Sequence, residues 1–343
     1  MPPTRFGRIT TPRDAWLAKA PAEPVIEPGL PIVDTHHHLW QRGDHRYLLD
    51  EFLEDAGTGH NVVASVFLEC HAMYRAGGPA ELRSLGETEF VTGIAAMSDS
   101  GGYGSTRVAA GIVGFADLTL GDRVEAVLEQ HVRASGGRFR GVRHSAAWDA
   151  DPVIGNSQTA SDLHLYARPD FREGLERLTA LGLSLDAWQF HPQLPGTIDL
   201  ARRFPGANIV VGHCGGPLGY GVYAGKKDEV FRGWKAHIVE LAKCQNVTMT
   251  LGGMMMRLAA YDYGALPAPP SSAELADFWR PYIETCIEQF GARRCMFESN
   301  FPVEKMGIGY AALWNAFKRI TAKASADEKE AMYSGTARRV YRL

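Results

Sequence analysis

No Cys-x-x-Cys pair occurs anywhere in the 343 residues, and the five cysteines (Cys70, Cys214, Cys244, Cys286 and Cys295) are scattered and odd in number. That excludes a disulfide framework or a zinc ribbon as the organising device. It reads instead as buried free thiols in a reducing, cytoplasmic compartment. A basic stripe is also missing and the formal net charge is -3, so nucleic acid is not an expected partner. No apolar run is long enough to cross a bilayer. The N-terminus, with Arg5, Arg8, Arg13 and Asp14, has no continuous apolar region of the kind a secretory signal needs. Internal repeats and low-complexity blocks are absent too, which leaves an ordinary soluble enzyme-sized chain.

Hydrophobic residues make up 45% and charged residues 22%, enough for one large core without staples. Residues 1–30 are rich in proline and read as an extended arm over the surface; residues 31–343 read as one domain. From residue 31, short β-branched runs alternate with helical patterns. Strands are expected at 32–34, 62–69, 112–117, 139–144, 183–189, 209–214, 247–252 and 295–300. Runs such as VVASVFL and IVV are apolar on both faces, as buried parallel strands are. Between them, Val124, Val127, Leu128, His131 and Val132 fall on one helical face, as do Phe171, Leu175, Leu178 and Leu181. A later stripe from Leu275 to Phe290 contains Pro281, which should bend it.

Eight strands, each followed by helix or long loop, predict a (β/α)₈ TIM barrel. The rival, an open nucleotide-binding sheet, would place G-x-G-x-x-G after the first strand. Here that strand runs into Asp34-Thr35-His36-His37-His38, and Gly215-Gly216 is followed by Pro217.

Polar residues gather where the strands should end: Asp34 to His38, Glu69, Arg143-His144, His191, His213 and Glu298 to Asn300. In a barrel these termini converge on one mouth, where catalysis is found. Alternation along a strand puts Asp34, His36 and His38 on one face, with His37 turned outward. Two imidazoles at that spacing suit a divalent metal. A lone buried histidine is as often a hydrogen-bonded core residue, which is the competing reading of His191. His213 precedes two glycines that let backbone approach a ligand. Arg143 reads either as a clamp for a substrate carboxylate or carbonyl oxygen, or as the ion-pair partner of Glu69 or Glu298.

The ordered segments DTHHHLW (34–40), GVRHS (141–145), QFHPQLP (189–195), GHCGGP (212–217) and ESNFPVEK (298–305) resemble the amidohydrolase-related branch of the amidohydrolase superfamily. They look closest to its lactonase-type members, such as 2-pyrone-4,6-dicarboxylate hydrolase and the sugar-acid lactonases. The likeness runs from residue 32 to the terminal RRVYRL. It implies a distorted barrel that activates water to open an ester-like ring. It also implies one divalent metal, zinc or manganese, on His36, His38 and His191, or a metal-free variant of the same chemistry. Under it, Arg143, Glu69 and His144 bind an anionic or polyhydroxylated lactone, and His213 orients substrate or water. Metal-assisted decarboxylation or amide hydrolysis on the same scaffold is the alternative.

The chain departs from that pattern at the eighth strand, where the family's aspartate is replaced by Asn300. An amide is not a general base and is a poor metal ligand. Glu298, two residues earlier and on the same face, could supply the base. Otherwise Asp34 or a histidine takes the proton while Asn300 donates to an oxyanion, or the barrel only binds a small molecule. No lysine ends the fourth strand, so a carbamate-bridged pair of metals is not expected. Residues 41–61 and 220–227 are expected to cap the mouth. Met254, Met255 and Met256 offer either core packing or a flexible apolar wall. Apolar helix faces around the barrel allow a homodimer.

Overall fold

A computed structural model of the protein describes residues 11–156, 162–255, 263 and 266–343. Eight parallel strands form one sheet in strictly sequential order. They are β1 (Ile32–His37), β2 (Val62–Leu68), β3 (Arg107–Gly114), β4 (Phe139–Val142), β5 (Ser184–Ala187), β6 (Asn208–Val211), β7 (Val247–Leu251) and β8 (Cys295–Phe297). Sequential neighbours, each joined through helix or turn on the outside, are what right-handed crossovers produce.

The seam between β8 and β1 is closed by single bonds instead of a ladder of paired residues. Asn300 N donates to His36 O at 2.7 Å, and His38 N to Phe301 O at 2.7 Å. Lower down, side chains replace the ladder. Thr35 Oγ1 donates to Phe297 O at 2.8 Å, and the Asp34 carboxylate accepts from Ser299 N at 2.8 Å. Two of the first strand's polar residues therefore complete the barrel wall.

The inner core is small and aliphatic. Val33, Val66, Val113, Val210 and Met296 meet Ala337 and Tyr341 of the final helix, Thr336–Tyr341. That helix plugs the end of the barrel opposite the polar strand termini, and Arg342 donates to Gly182 O at 2.6 Å, just before β5. Tyr341 Oη reaches up to Asp186 Oδ1 at 2.6 Å. The much larger outer core lies between strands and helices and includes Trp234, Trp279 and Trp314. The segment before β1 is tied to helix Tyr310–Ile320: Asn315 accepts from Ile26 N at 2.9 Å, and Lys318 Nζ donates to the Ile26 and Glu27 carbonyls.

Several expectations need correction. The third strand begins at Arg107, five residues before the apolar run marks it, because its first half is the small-residue stretch VAA. Ladders also stop short of the polar residues at most strand ends; β5 ends at Ala187 and β8 at Phe297. The functional side chains thus ride on the first residues of the following loops. Val132 and Leu181 are exposed rather than packed, since Leu181 lies just past the end of helix Pro169–Ala180.

Candidate active site

Glu298 is fully buried just beyond β8 and holds two imidazoles at once. His213 Nδ1 lies 2.6 Å from Oε1 and His36 Nδ1 lies 2.9 Å from Oε2. Burial pushes the Glu298 carboxyl up, but His213 and His36 pull harder, and the net effect holds it well below the usual carboxylate range. An ionised carboxylate only accepts, so each imidazole carries a proton on the Nδ1 that faces it. Burial pushes the His36 pKa down to about 3, which keeps that ring neutral.

His38 is fixed the same way by another partner. Its Nδ1 meets Leu68 O at 2.8 Å, and a carbonyl oxygen can only accept. Its Nε2 then faces His36 Nε2 at 3.2 Å and Asn300 Oδ1 at 3.2 Å. Trp40 stacks behind it, ring centroids 5.8 Å apart.

Arg143, just past β4, completes the cluster. Its Nε donates to Glu69 Oε1 at 2.9 Å, a second guanidinium nitrogen donates to Glu69 O, and a third lies 3.2 Å from His36 Nε2. Burial raises the Glu69 pKa, yet Arg143 and then His71 outweigh it and bring it down to about 2. The ion-pair reading of Arg143 is what the structure shows, and the pair is aimed at the histidine cluster.

Local backbone makes this possible. His213 and Asn300 both adopt positive φ, 54° and 52°, a conformation that non-glycine residues rarely take outside functional sites. Gly252 and Gly253, after β7, leave room for the site. A Cβ on Gly253 would stand 2.1 Å from His213 Nδ1, and one on Gly252 would stand 2.5 Å from Glu298 Cγ.

The chemistry of the donors fits a divalent cation. His36, His213 and Glu298 offer two nitrogens and an oxygen within 4.8 Å of one another, a set that suits zinc. The 2.6 Å separation of His213 Nδ1 and Glu298 Oε1, however, is that of a charge-assisted N–H···O bond, and His36 Nδ1 stands in contact with Oε2 at 2.9 Å. The lone pairs of His36 Nε2, His38 Nε2 and Asn300 Oδ1 converge instead, with only Arg143 donating among them. That is the better cradle for a cation. In it Glu298 and Leu68 O play the outer role of carboxylate or carbonyl behind a histidine ligand.

Other expected residues lie elsewhere. His191 opens a short turn after Phe190. Its Nδ1 accepts from Leu218 N at 3.3 Å and its ring packs against Tyr223, so the structure does not bring it to His36 and His38. The physical reason is that β5 stops four residues earlier and the chain turns away; Trp188, its ring 4.7 Å from that of His213, occupies the mouth. His144 also points away, accepting from Leu118 N at 3.2 Å and packing on Phe115 and Phe171. Neighbours on extended backbone face opposite sides, and Arg143 has the inner one. Asp34 is engaged at the seam and by Tyr310 Oη at 3.0 Å; burial raises its pKa to about 6. His37 faces outward as expected, 3.0 Å from Ser65 Oγ and stacked on Phe52. Met254 and Met255 are buried, and Met256 lies outside the described residues. Of the capping segments, the hairpin pairing Trp40–Arg42 with His45–Tyr47 places Trp40 against His38, and Tyr223 covers His191. Sequence reasoning missed Trp188, His71 and Glu304. Glu304 was visible in the ESNFPVEK segment, and its four-residue spacing from Asn300 was the available signal.

The amidohydrolase family profile matches residues 33–343. An uncharacterized protein of Sinorhizobium fredii is 30% identical over 91% of this chain and 98% of its own. An L-fucono-1,5-lactonase of Burkholderia multivorans is 26% identical over 91% and 96%. A crystal structure of a Burkholderia multivorans amidohydrolase with bound zinc superposes with a TM-score of 0.68 at 25% identity, covering 91% of this chain and 99% of that one. Among the described residues no helix is long and apolar enough to cross a membrane.

Proposed function

The chain belongs to the amidohydrolase family, and from that premise we propose that it opens a lactone ring by attack of water at the cluster of His36, His38, Arg143, His213 and Glu298. The carrying observation is the single buried carboxylate that meets two imidazole Nδ1 atoms beside an arginine. Such a site offers a base and a cation to an ester carbonyl in a nearly dry setting, where electrostatic stabilisation is strongest. The lactonase relative supports the choice of bond.

In this reading His213, its Nδ1 proton held by Glu298, presents Nε2 to take a proton from water, in the manner of a base oriented by a carboxylate. Glu298 is the orienting group, since both its oxygens are occupied. Arg143, held by Glu69, faces the carbonyl oxygen or a substrate carboxylate. His36 and His38, with Asn300 Oδ1 as third donor, would hold a divalent ion, zinc or manganese, whose Lewis acidity polarises the carbonyl. His191, His144 and Asp34 serve the walls of the site rather than its centre.

The test is a panel of sugar-acid and dicarboxylate lactones, followed by acid release, with the protein's metal content measured by elemental analysis. We expect turnover of an anionic or polyhydroxylated lactone, lost in His213→Ala and reduced by at least about a hundredfold in Arg143→Ala. No turnover by folded, zinc- or manganese-supplemented protein would sink the proposal. Carbon dioxide release from a hydroxybenzoate without lactone opening would replace it with decarboxylation.

A further inference from the structure

Glu304 is wholly buried one turn beyond Asn300, and the proposed reaction makes no use of it. Its position is tightly specified. Oε2 accepts from Met255 N at 2.7 Å and Oε1 faces Asn300 Nδ2 at 3.3 Å. The Glu304 amide closes the turn by donating to Asn300 O at 3.2 Å. A buried carboxylate needs such partners to offset its desolvation.

The consequence concerns which end of the Asn300 amide meets the histidines. A Glu304 carboxyl oxygen stands 3.3 Å from Asn300 Nδ2 on one side, so the NH₂ turns to it and the carbonyl oxygen turns to His38 Nε2 at 3.2 Å. We propose that Glu304 is a positioning residue that locks Asn300 with its oxygen toward His36 and His38. Asn300 then acts as a lone-pair donor, and the oxyanion-donor role expected for it is disfavoured. The amide and the carboxyl group behind it together stand where one strand-end carboxylate would. This rests on the cation reading of the cluster given above.

Hydrogen-bond inventory makes the pair testable by exchange. In Glu304→Gln the new side chain has one acceptor oxygen, and Met255 N–H and Asn300 NH₂ both need it. One donor is left facing a donor, and Asn300 loses its fixed sense. In Asn300→Asp two carboxylates face each other across the 3.3 Å contact, which like charges resist. Combining Glu304→Gln with Asn300→Asp restores complementarity. The new amide at position 304 accepts from Met255 N–H through its oxygen, and its NH₂ donates to the new carboxylate at position 300.

The four proteins would be compared for zinc affinity, by competition with a chromophoric chelator, and for Tm in the chelated state, with circular dichroism confirming the fold. We expect Glu304→Gln to lose about tenfold to a hundredfold in zinc affinity and the exchange to recover it. Both single variants should melt below the wild type, and the double variant above either. If the two changes merely add in Tm, the pairing is wrong, whatever the protein does to lactones. If the Tm exchange holds while wild type binds no zinc, the orientation of Asn300 stands and the metal reading of the cluster falls. Unchanged zinc affinity in Glu304→Gln overturns the positioning role.

Discussion

Glu298 illustrates how much one side chain settles here. Both its oxygens are committed to imidazole Nδ1 atoms, at 2.6 and 2.9 Å, so the tautomers of His36 and His213 are consequences of its charge. Glu298→Gln keeps the shape and removes that certainty, because its NH₂ must meet one Nδ1–H donor to donor. The affected ring then turns its proton to Nε2, toward the reacting centre. A loss of about tenfold to a hundredfold is expected, carried by kcat with KM little changed, because substrate contacts through Arg143 survive. Steady-state kinetics on the best lactone of the panel decide it. A defect confined to KM would mean that Glu298 shapes binding and not the base.

At the scale of elements, the loop after β7 is as necessary as the side chains it accommodates. Gly253 has φ +64°, and a Cβ there would stand 2.1 Å from His213 Nδ1. Gly253→Ala must therefore displace the ring or the loop, and activity should fall to near background in a protein that still folds. Gly233 is the control. It lies mid-helix in Lys227–Ala242 with nothing within 4 Å of a Cβ, so Gly233→Ala should stabilise by about 0.5–1 kcal/mol with activity unchanged. Denaturation midpoints and activity for the two variants separate the cases; equal behaviour would mean that the loop adapts. The same scale explains what was legible in the sequence. Barrel strands were readable because both faces are apolar, and His36, His38, Glu69, Arg143, His213 and Glu298 because polar groups at the ends of such strands stand out. His191 was misplaced because the fifth strand stops at Ala187, four residues before it, and His144 because it was grouped with Arg143 as a strand end although neighbours on extended backbone face opposite sides. Trp188 was not legible, because its role depends on how a loop folds back and no periodicity encodes that, whereas Glu304 was marked only by its four-residue spacing from Asn300.

For the molecule as a whole, the buried histidines set the response to acid. Burial pushes His131 and His144 down to about 4, and does the same, with like charges adding, to His191 and His60. A histidine whose folded value lies below the ordinary value of about 6.5 binds its proton more readily when unfolded. Between about pH 6.5 and 4 the unfolded chain therefore takes up more protons, and stability rises with pH across that window. Buried acids act oppositely. Asp34 and Asp186 are raised to about 6 by burial, so they favour the folded state as pH falls through 6 toward 4. Glu87, raised to about 8 by burial and then by Glu69, does so from about pH 8 downward and on through the same window. Four histidines distributed through the wall, joined by His36 and His37, both held near 3 mainly by burial, outnumber these three acids in the shared window. The melting temperature of chelated protein should therefore fall progressively from about pH 6.5 to 4. Calorimetric scans across roughly pH 4–8 test this. A flat profile would mean that the acids balance the histidines, and a rise on acidification would mean that Asp34 and Asp186 dominate the wall.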